Sequence, residues 1–225
     1  MSAWVDAIAS GLSRVRELRR DREAEAHLGA RVRAVKAFQQ ARFERDYADL
    51  LTSPRYGEAA RFFLDQLYGP ADFALRDAEF ERVVPLMARV LSDDVMRTIA
   101  DLIDLHALTE GLDQQMGLAL RAAELDERSY RAAWRQVGLR SARDRQLTLL
   151  LSAGRALERH TRNKLLTGTL RLMRAPAQAA GYGRLQSFLE AGMDAFAGMG
   201  GAREFLQVIE DNERRTIDDL FTSEP

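Results

Sequence analysis

The chain has 225 residues, 46% of them apolar and 30% charged, with a formal net charge of −1, the balance of an ordinary globular protein long enough to bury a core. It has no cysteine, which excludes disulfides, thiolate zinc sites and cysteine nucleophiles and fits a reducing cytoplasm. No run of about 18 apolar residues occurs, so no membrane span is expected.

The first predicted helix carries Trp4, Val5, Ile8, Leu12, Val15 and Leu18 on one stripe, with arginines 14, 16, 19, 20 and 22 clustered behind it. Asp6 lies in the apolar part and the basic cluster follows it, the reverse of a secretion signal. Residues 1–22 could pack on the body, project as a dimer arm or lie on a membrane surface. Asp6, Glu17 and Asp21 interrupt the positive charge and argue against the last. A second helical pattern runs through Leu28, Val32, Val35, Phe38, Tyr47, Leu50 and Leu51 and closes at Ser53-Pro54, where Ser53 is a candidate cap for the next helix.

The stretch Arg61–Arg89, RFFLDQLYGPADFALRDAEFERVVPLMAR, is the most specific in the chain. Phe62, Phe63, Leu64 and Leu67 form an apolar helical stripe that Tyr68-Gly69-Pro70 should stop, since Gly takes a left-handed terminus and Pro cannot continue the ladder. Asp72 is placed to cap the next turn. Phe73, Leu75, Phe80, Val83 and Val84 resume the pattern, and Pro85 should break or kink the helix that carries them. The simpler reading is an aromatic corner that seals the core. The functional reading puts Tyr68, Arg76 and Asp77 around a ligand pocket beside it.

The pattern FFLxxLYGPxDFxxRDxxFxRVxP, with the LHALTEGLD run at Leu105–Asp113, resembles a family of uncharacterised, mainly helical proteins of Gram-negative bacteria. That resemblance implies a helical fold and no particular activity. The aromatic run before a proline is also similar to the early helices of globins, but His106 comes too early and His160 too late to serve as a proximal ligand. No haem or other cofactor is therefore expected.

Ser92 or Asp93 should cap a helix running through Ile99, Ile103, Leu105, Leu112 and Met116, weakened but not ended by Gly111 and Gly117. His106, Glu110 and Asp113 share one face at i, i+4, i+7, and imidazole with carboxylates would suit iron, manganese or zinc. A carboxylate-bridged bundle needs a second Glu-x-x-His segment, which the chain lacks. With Asp101 and Asp104 nearby, the simpler reading is an acidic, solvated helix and no metal. His106 stays a ligand candidate with Tyr68, Arg76 and Asp77.

A shorter helix from Leu125-Asp126 carries Tyr130, Trp134 and Val137 to Gly138, and a long pattern then runs from Ala142 to Met173. Gly154, Thr161 and Gly168 recur along one edge of it and would let a neighbouring helix approach, from this chain or a second copy. Arg155, Arg159 and Arg162 line its other side. Arg140–Ala175 holds nine basic and two acidic residues, against nine acidic and two basic in Ser92–Glu127 and nine acidic and three basic in Leu185–Pro225. Complementary pairing within the fold is the simpler account. A nucleic-acid face on helix 142–174 is the sharper one, and it lacks the interleaved aromatics that single strands require. Loops at Ala175–Gly183 and Gly198–Gly201 frame a helix over Leu185–Phe196, and a last helix runs from Phe205 to Phe221.

The expected fold is a single all-α domain, residues 1–225, of eight to ten helices in a bundle. No catalytic residue is assigned, because no nucleophile–base pair or metal signature stands out. The sequence favours a non-enzymatic protein-interaction or regulatory module, as a homodimer or with a protein partner. The alternative is a small-ligand-binding helical protein with a pocket near the aromatic corner 62–77, using Tyr68, Arg76, Asp77 and His106.

Overall fold

The computed structural model describes residues 3–25, 27–68, 73–122 and 124–222, and at 67 and 68 the backbone alone. Among these residues the chain is all α. The order is α1 Ala3–Ala24, α2 Leu28–Asp46, α3 Ala48–Thr52, α4 Gly57–Phe63 with a π-helical turn Leu64–Tyr68, α5 Ala74–Val90 and α6 Asp93–Ala119. Then come α7 Glu127–Val137, α8 Arg140–Thr161, α9 Lys164–Leu172, α10 Arg174–Ala179, α11 Gly183–Gly198 and α12 Arg203–Thr222. Ten of the twelve have seven residues or more, and the two others are single short turns in the connections. No described helix is long and apolar enough to cross a membrane.

The central element is α6, which packs against α1, α2 and α8. The N-terminal helix does not stand off as an arm. Ile8, Leu12 and Val15 of α1 are buried, at the i, i+4, i+7 spacing that keeps one face on a partner. A Cβ at Gly11 would stand 2.6 Å from Ile103 Cγ2, so the missing side chain sets how closely α1 approaches α6. The described apolar side chains fall into two clusters. The larger joins α2, α4, α7, α8 and α12 through residues such as Phe43, Tyr47, Phe63, Trp134 and Phe205. The smaller joins α1, α5 and the first half of α6 through Ile8, Phe80, Val84 and Ile103.

Local chemistry sets several boundaries. Ser53 Oγ accepts the amides of Arg55 and Tyr56 and so turns the chain before α4 rather than capping it. Asp126 and Ser129 form a reciprocal capping box at the start of α7. Gly138 at φ +69° and Leu139 at φ +46° form the left-handed joint into α8. Ser92 occupies the cap position of α6 without a side-chain cap bond, and Asp93 and Asp94 place negative charge on its first turn. The Gly69-Pro70 stop, the Asp72 cap and the side chain of Tyr68 lie outside the described residues.

Two expectations about helix continuity are settled by the helix bounds. Of the break or kink expected at Pro85, the break does not occur: α5 continues to Val90, with Pro85 itself exposed. The single long helix from Ala142 to Met173 is instead α8 and α9, divided where the Asn163 side chain accepts the Leu165 and Leu166 amides, both at 3.1 Å. The small-residue edge is interrupted there as well. Gly154 receives Leu206 of α12, where a Cβ would meet Leu206 Cδ2 at 2.6 Å, whereas Gly168 faces open space.

The blocked charge pairs at least in part within the fold. Arg145 meets Asp104, Arg140 meets Asp218, Arg171 meets Asp194 at 3.0 Å and Arg174 meets Glu190 at 2.9 Å. Arg155, Arg159 and Arg162 stay exposed on α8 and the turn after it.

Candidate functional site: a charged cavity in the helical interior

Helices α2, α5, α6, α7, α8, α11 and α12 enclose a cavity of about 120 Å³. Its walls are polarised along the helix axes. On α6 the lining passes from Ile99 and Ile103 to His106, Glu110 and Asp113, positions that succeed one another at steps of three or four and therefore share a face. The Thr98–His160 and Gln146–Thr109 contacts make α8 antiparallel to α6. Accordingly α8 lines the same cavity with Leu150 and Leu147 at the apolar end and Gln146 and Arg143 at the polar end.

The face of α6 read as acidic and solvated is in fact turned inward: Glu110 is 4% exposed and Asp113 is 2% exposed. Buried carboxylates are tolerated only with partners, and each has them. Glu110 receives Arg22 from α1 and Lys36 from α2, with Arg22 also donating to the Glu110 carbonyl at 2.7 Å. Asp77 receives Arg19 at 2.6 Å and lies 3.1 Å from Nε2 of His106. Gln39 donates to Asp113 at 3.1 Å, and Glu213 accepts from Arg42 and from the Tyr47 hydroxyl at 2.7 Å. The N-terminal helix thus supplies counter-ions to two lining carboxylates through Arg19 and Arg22.

Arg76 is held differently. Its guanidinium lies between two rings, 4.1 Å from the centroid of Phe73 and 4.4 Å from that of Phe188. Its Nε stands 3.6 Å from Asp77 Oδ1, too far for a hydrogen bond. Its Nη1 is buried and, among the described residues, has no hydrogen-bond acceptor. Arg143 is also placed over a ring, 3.9 Å from the centroid of Trp134.

The ionisation states reflect these contacts. Burial pushes the Asp77 carboxyl up, but His106, Arg19 and Arg76 outweigh it and hold the group at about 2. Burial likewise opposes ionisation of Glu110, and Lys36 and Arg22 overcome it, again to about 2. Asp113, wholly enclosed, is pushed above the usual carboxylate range by burial. Burial lowers the Arg76 guanidinium, with Asp77 opposing.

Three of the four ligand candidates, Arg76, Asp77 and His106, meet at this cavity, and the fourth, the Tyr68 side chain, lies outside the described residues. His106, Glu110 and Asp113 share the inward face of α6. Each is committed to a different partner, and among the described residues no group of three such side chains is placed to hold a metal ion. The lining hydroxyls of Thr109 and Tyr130 accept from the Gln146 and Gln39 amides, and among the described residues no hydrogen bond joins either to His106.

Sequence reasoning missed Lys36, Gln39, Arg42, Arg143 and Glu213. A signal existed for two of them. Gln39 falls in the buried register Val32, Val35, Gln39, Phe43 of α2, and Arg143 in the register Arg143, Leu147, Leu150, Gly154 of α8. A polar residue at a position the helix period assigns to the core marks an interior polar site.

No curated protein and no solved structure matches this chain. The model of a domain family of unknown function, DUF8198, matches residues 18–225, which include α2 to α12 and the Arg19 and Arg22 side chains that pair with Asp77 and Glu110, and the chain belongs to that family.

Proposed function

We propose that this chain is a small-molecule-binding helical protein whose site is the interior cavity between α5, α6, α8 and α11. One observation carries the reading. The space at the junction of the two apolar clusters is lined by Lys36, Arg76, Asp77, His106, Glu110 and Arg143, where a bundle folding for stability alone would place apolar side chains. Taking each charge out of water costs several kcal/mol before pairing returns any of it. A largely apolar pocket with a few convergent polar groups is the usual form of a ligand site.

The chain carries its own reporter. Its two tryptophans are Trp4, packed in the smaller cluster, and Trp134, which lines the cavity. In a Trp4→Phe variant, a library of small organic anions, cations and neutral compounds is titrated while Trp134 fluorescence is monitored. The reading predicts a saturable change that Leu147→Phe, which fills the apolar end, abolishes. Silence across the library, together with a native mass equal to the bare polypeptide, would contradict it.

Protein contact is a second reading, favoured by α9. That helix buries no residue, and Leu165 and Leu172 on it are 80% and 81% exposed. A dimer mass by light scattering that Leu165→Glu with Leu172→Glu returns to monomer would support it. A monomer at high concentration would remove its homodimer form.

A further inference from the structure

We infer that the ligand is a small organic monocarboxylate, its carboxylate on Arg76 and its apolar body, about one ring in size, towards Ile103, Leu150, Phe188 and Leu189. The inference rests on the cavity being a ligand site and concerns which chemistry it selects.

Charge comes first. The carboxylates on the lining are all engaged: Asp77 by Arg19 and His106, Glu110 by Arg22 and Lys36, Glu213 by Arg42 and Tyr47, Asp113 by Gln39. The lining itself carries four cations, Lys36, Arg42, Arg76 and Arg143, against those four carboxylates, and the buried Arg76 Nη1 has no acceptor among the described residues, so the site offers an anion a partner. The lining carboxylates Asp77, Glu110 and Glu213 would repel a multiply charged phosphate.

Geometry comes second. The Phe73 and Phe188 rings both stand against the Arg76 guanidinium, and its unmet Nη1–H is a donor on the guanidinium edge. A planar carboxylate meets a guanidinium edge in plane, by a charge-assisted hydrogen bond. Arg76 lines the cavity together with His106, and both lie near the Asp77 carboxylate. A cavity of about 150 Å³ lined by apolar side chains holds a benzene molecule, and the present one, about 120 Å³, sets a single ring as the upper limit for the apolar body.

The test uses three ring compounds of nearly equal shape, benzoate, benzamide and benzylamine, titrated into the Trp4→Phe protein, and into the same protein carrying Arg76→Met or Arg76→Lys. The expected result is saturable binding of benzoate, weaker binding of benzamide and none of benzylamine. Losing a charged hydrogen-bond partner should weaken benzoate roughly 10- to 100-fold in Arg76→Met. It should leave benzamide nearly unchanged. Arg76→Lys restores the charge without the planar edge and should recover only part of the benzoate affinity. Benzamide or benzylamine binding as tightly as benzoate would overturn the carboxylate inference and leave the pocket intact. Benzoate affinity unaltered in Arg76→Met would overturn the assignment of Arg76. No response to any of the three, with thermal melts showing all variants folded, would overturn the inference and count against the pocket as well.

Discussion

The same pairing of arginine with carboxylate occurs in two places on this molecule and does two different jobs. On the outside, Arg171 meets Asp194 at 3.0 Å with both side chains more than half exposed. Inside, Arg22 and Lys36 meet Glu110 with all three side chains nearly enclosed. An exposed pair competes with water and salt and is worth about 0–1 kcal/mol. An enclosed one has given up its hydration, so it cannot lose a single member without leaving charge stranded. The outer pairs reconcile the basic and acidic blocks of the chain, and the inner ones define a charged chamber.

The contrast can be broken most sharply at Glu110. Glu110→Gln leaves Arg22 and Lys36 enclosed without a counter-charge and should cost about 3–5 kcal/mol in a urea unfolding experiment. A loss below 1 kcal/mol would mean that the interior charges are hydrated like surface ones.

Acid should come next in size. Asp77 and Glu110 are each held at about 2 in the fold, below their ordinary values of 3.8 and 4.5. The unfolded chain therefore takes up these protons first as the pH falls. The stability the two groups contribute is complete above about pH 5 and is lost progressively towards pH 2, at about 2–3 kcal/mol each. Asp113 acts in the opposite sense, since its raised pKa makes the folded state the better proton acceptor, and it offsets part of the loss. Unfolding free energies measured from pH 6 to pH 2 should fall over that window, and more shallowly in Asp77→Asn.

At the small end, Asp194→Ala removes the partner of Arg171 on the surface and should change stability by no more than about 1 kcal/mol, with the difference shrinking further in added salt. A larger, salt-independent loss would place that pair in the interior class.

The sequence was informative where a residue's type and its helical position agreed. The apolar stripes of α1, α2 and α12 are read directly from periodicity, and the aromatic corner led to Arg76 and Asp77 because charges embedded among rings are unusual. Reading failed where exposure had to be assumed. His106, Glu110 and Asp113 look solvated beside Asp101 and Asp104. Which face of α6 turns inward is decided by α2 and α8 together, long-range packing that no local window contains. The division of α8 from α9 was hidden for a related reason: Asn163 caps the start of α9 by side-chain hydrogen bonds, and no glycine or proline marks the end of α8. Pro85 signalled a break or a kink; it lies on the exposed side of α5, and the helix continues past it to Val90.

The central claim is that the charged interior serves a ligand rather than the fold, and Arg76 separates the two most directly. Arg76→Met keeps a long, polarizable side chain between Phe73 and Phe188 and leaves Asp77 paired with Arg19 and His106. If Arg76 is held for a ligand, removing a buried guanidinium with an unmet donor should leave the unfolding free energy unchanged or raise it by about 1–3 kcal/mol. A loss of about 3 kcal/mol or more would show that Arg76 is a structural counter-ion, and the account of the cavity as a binding site would fail with it.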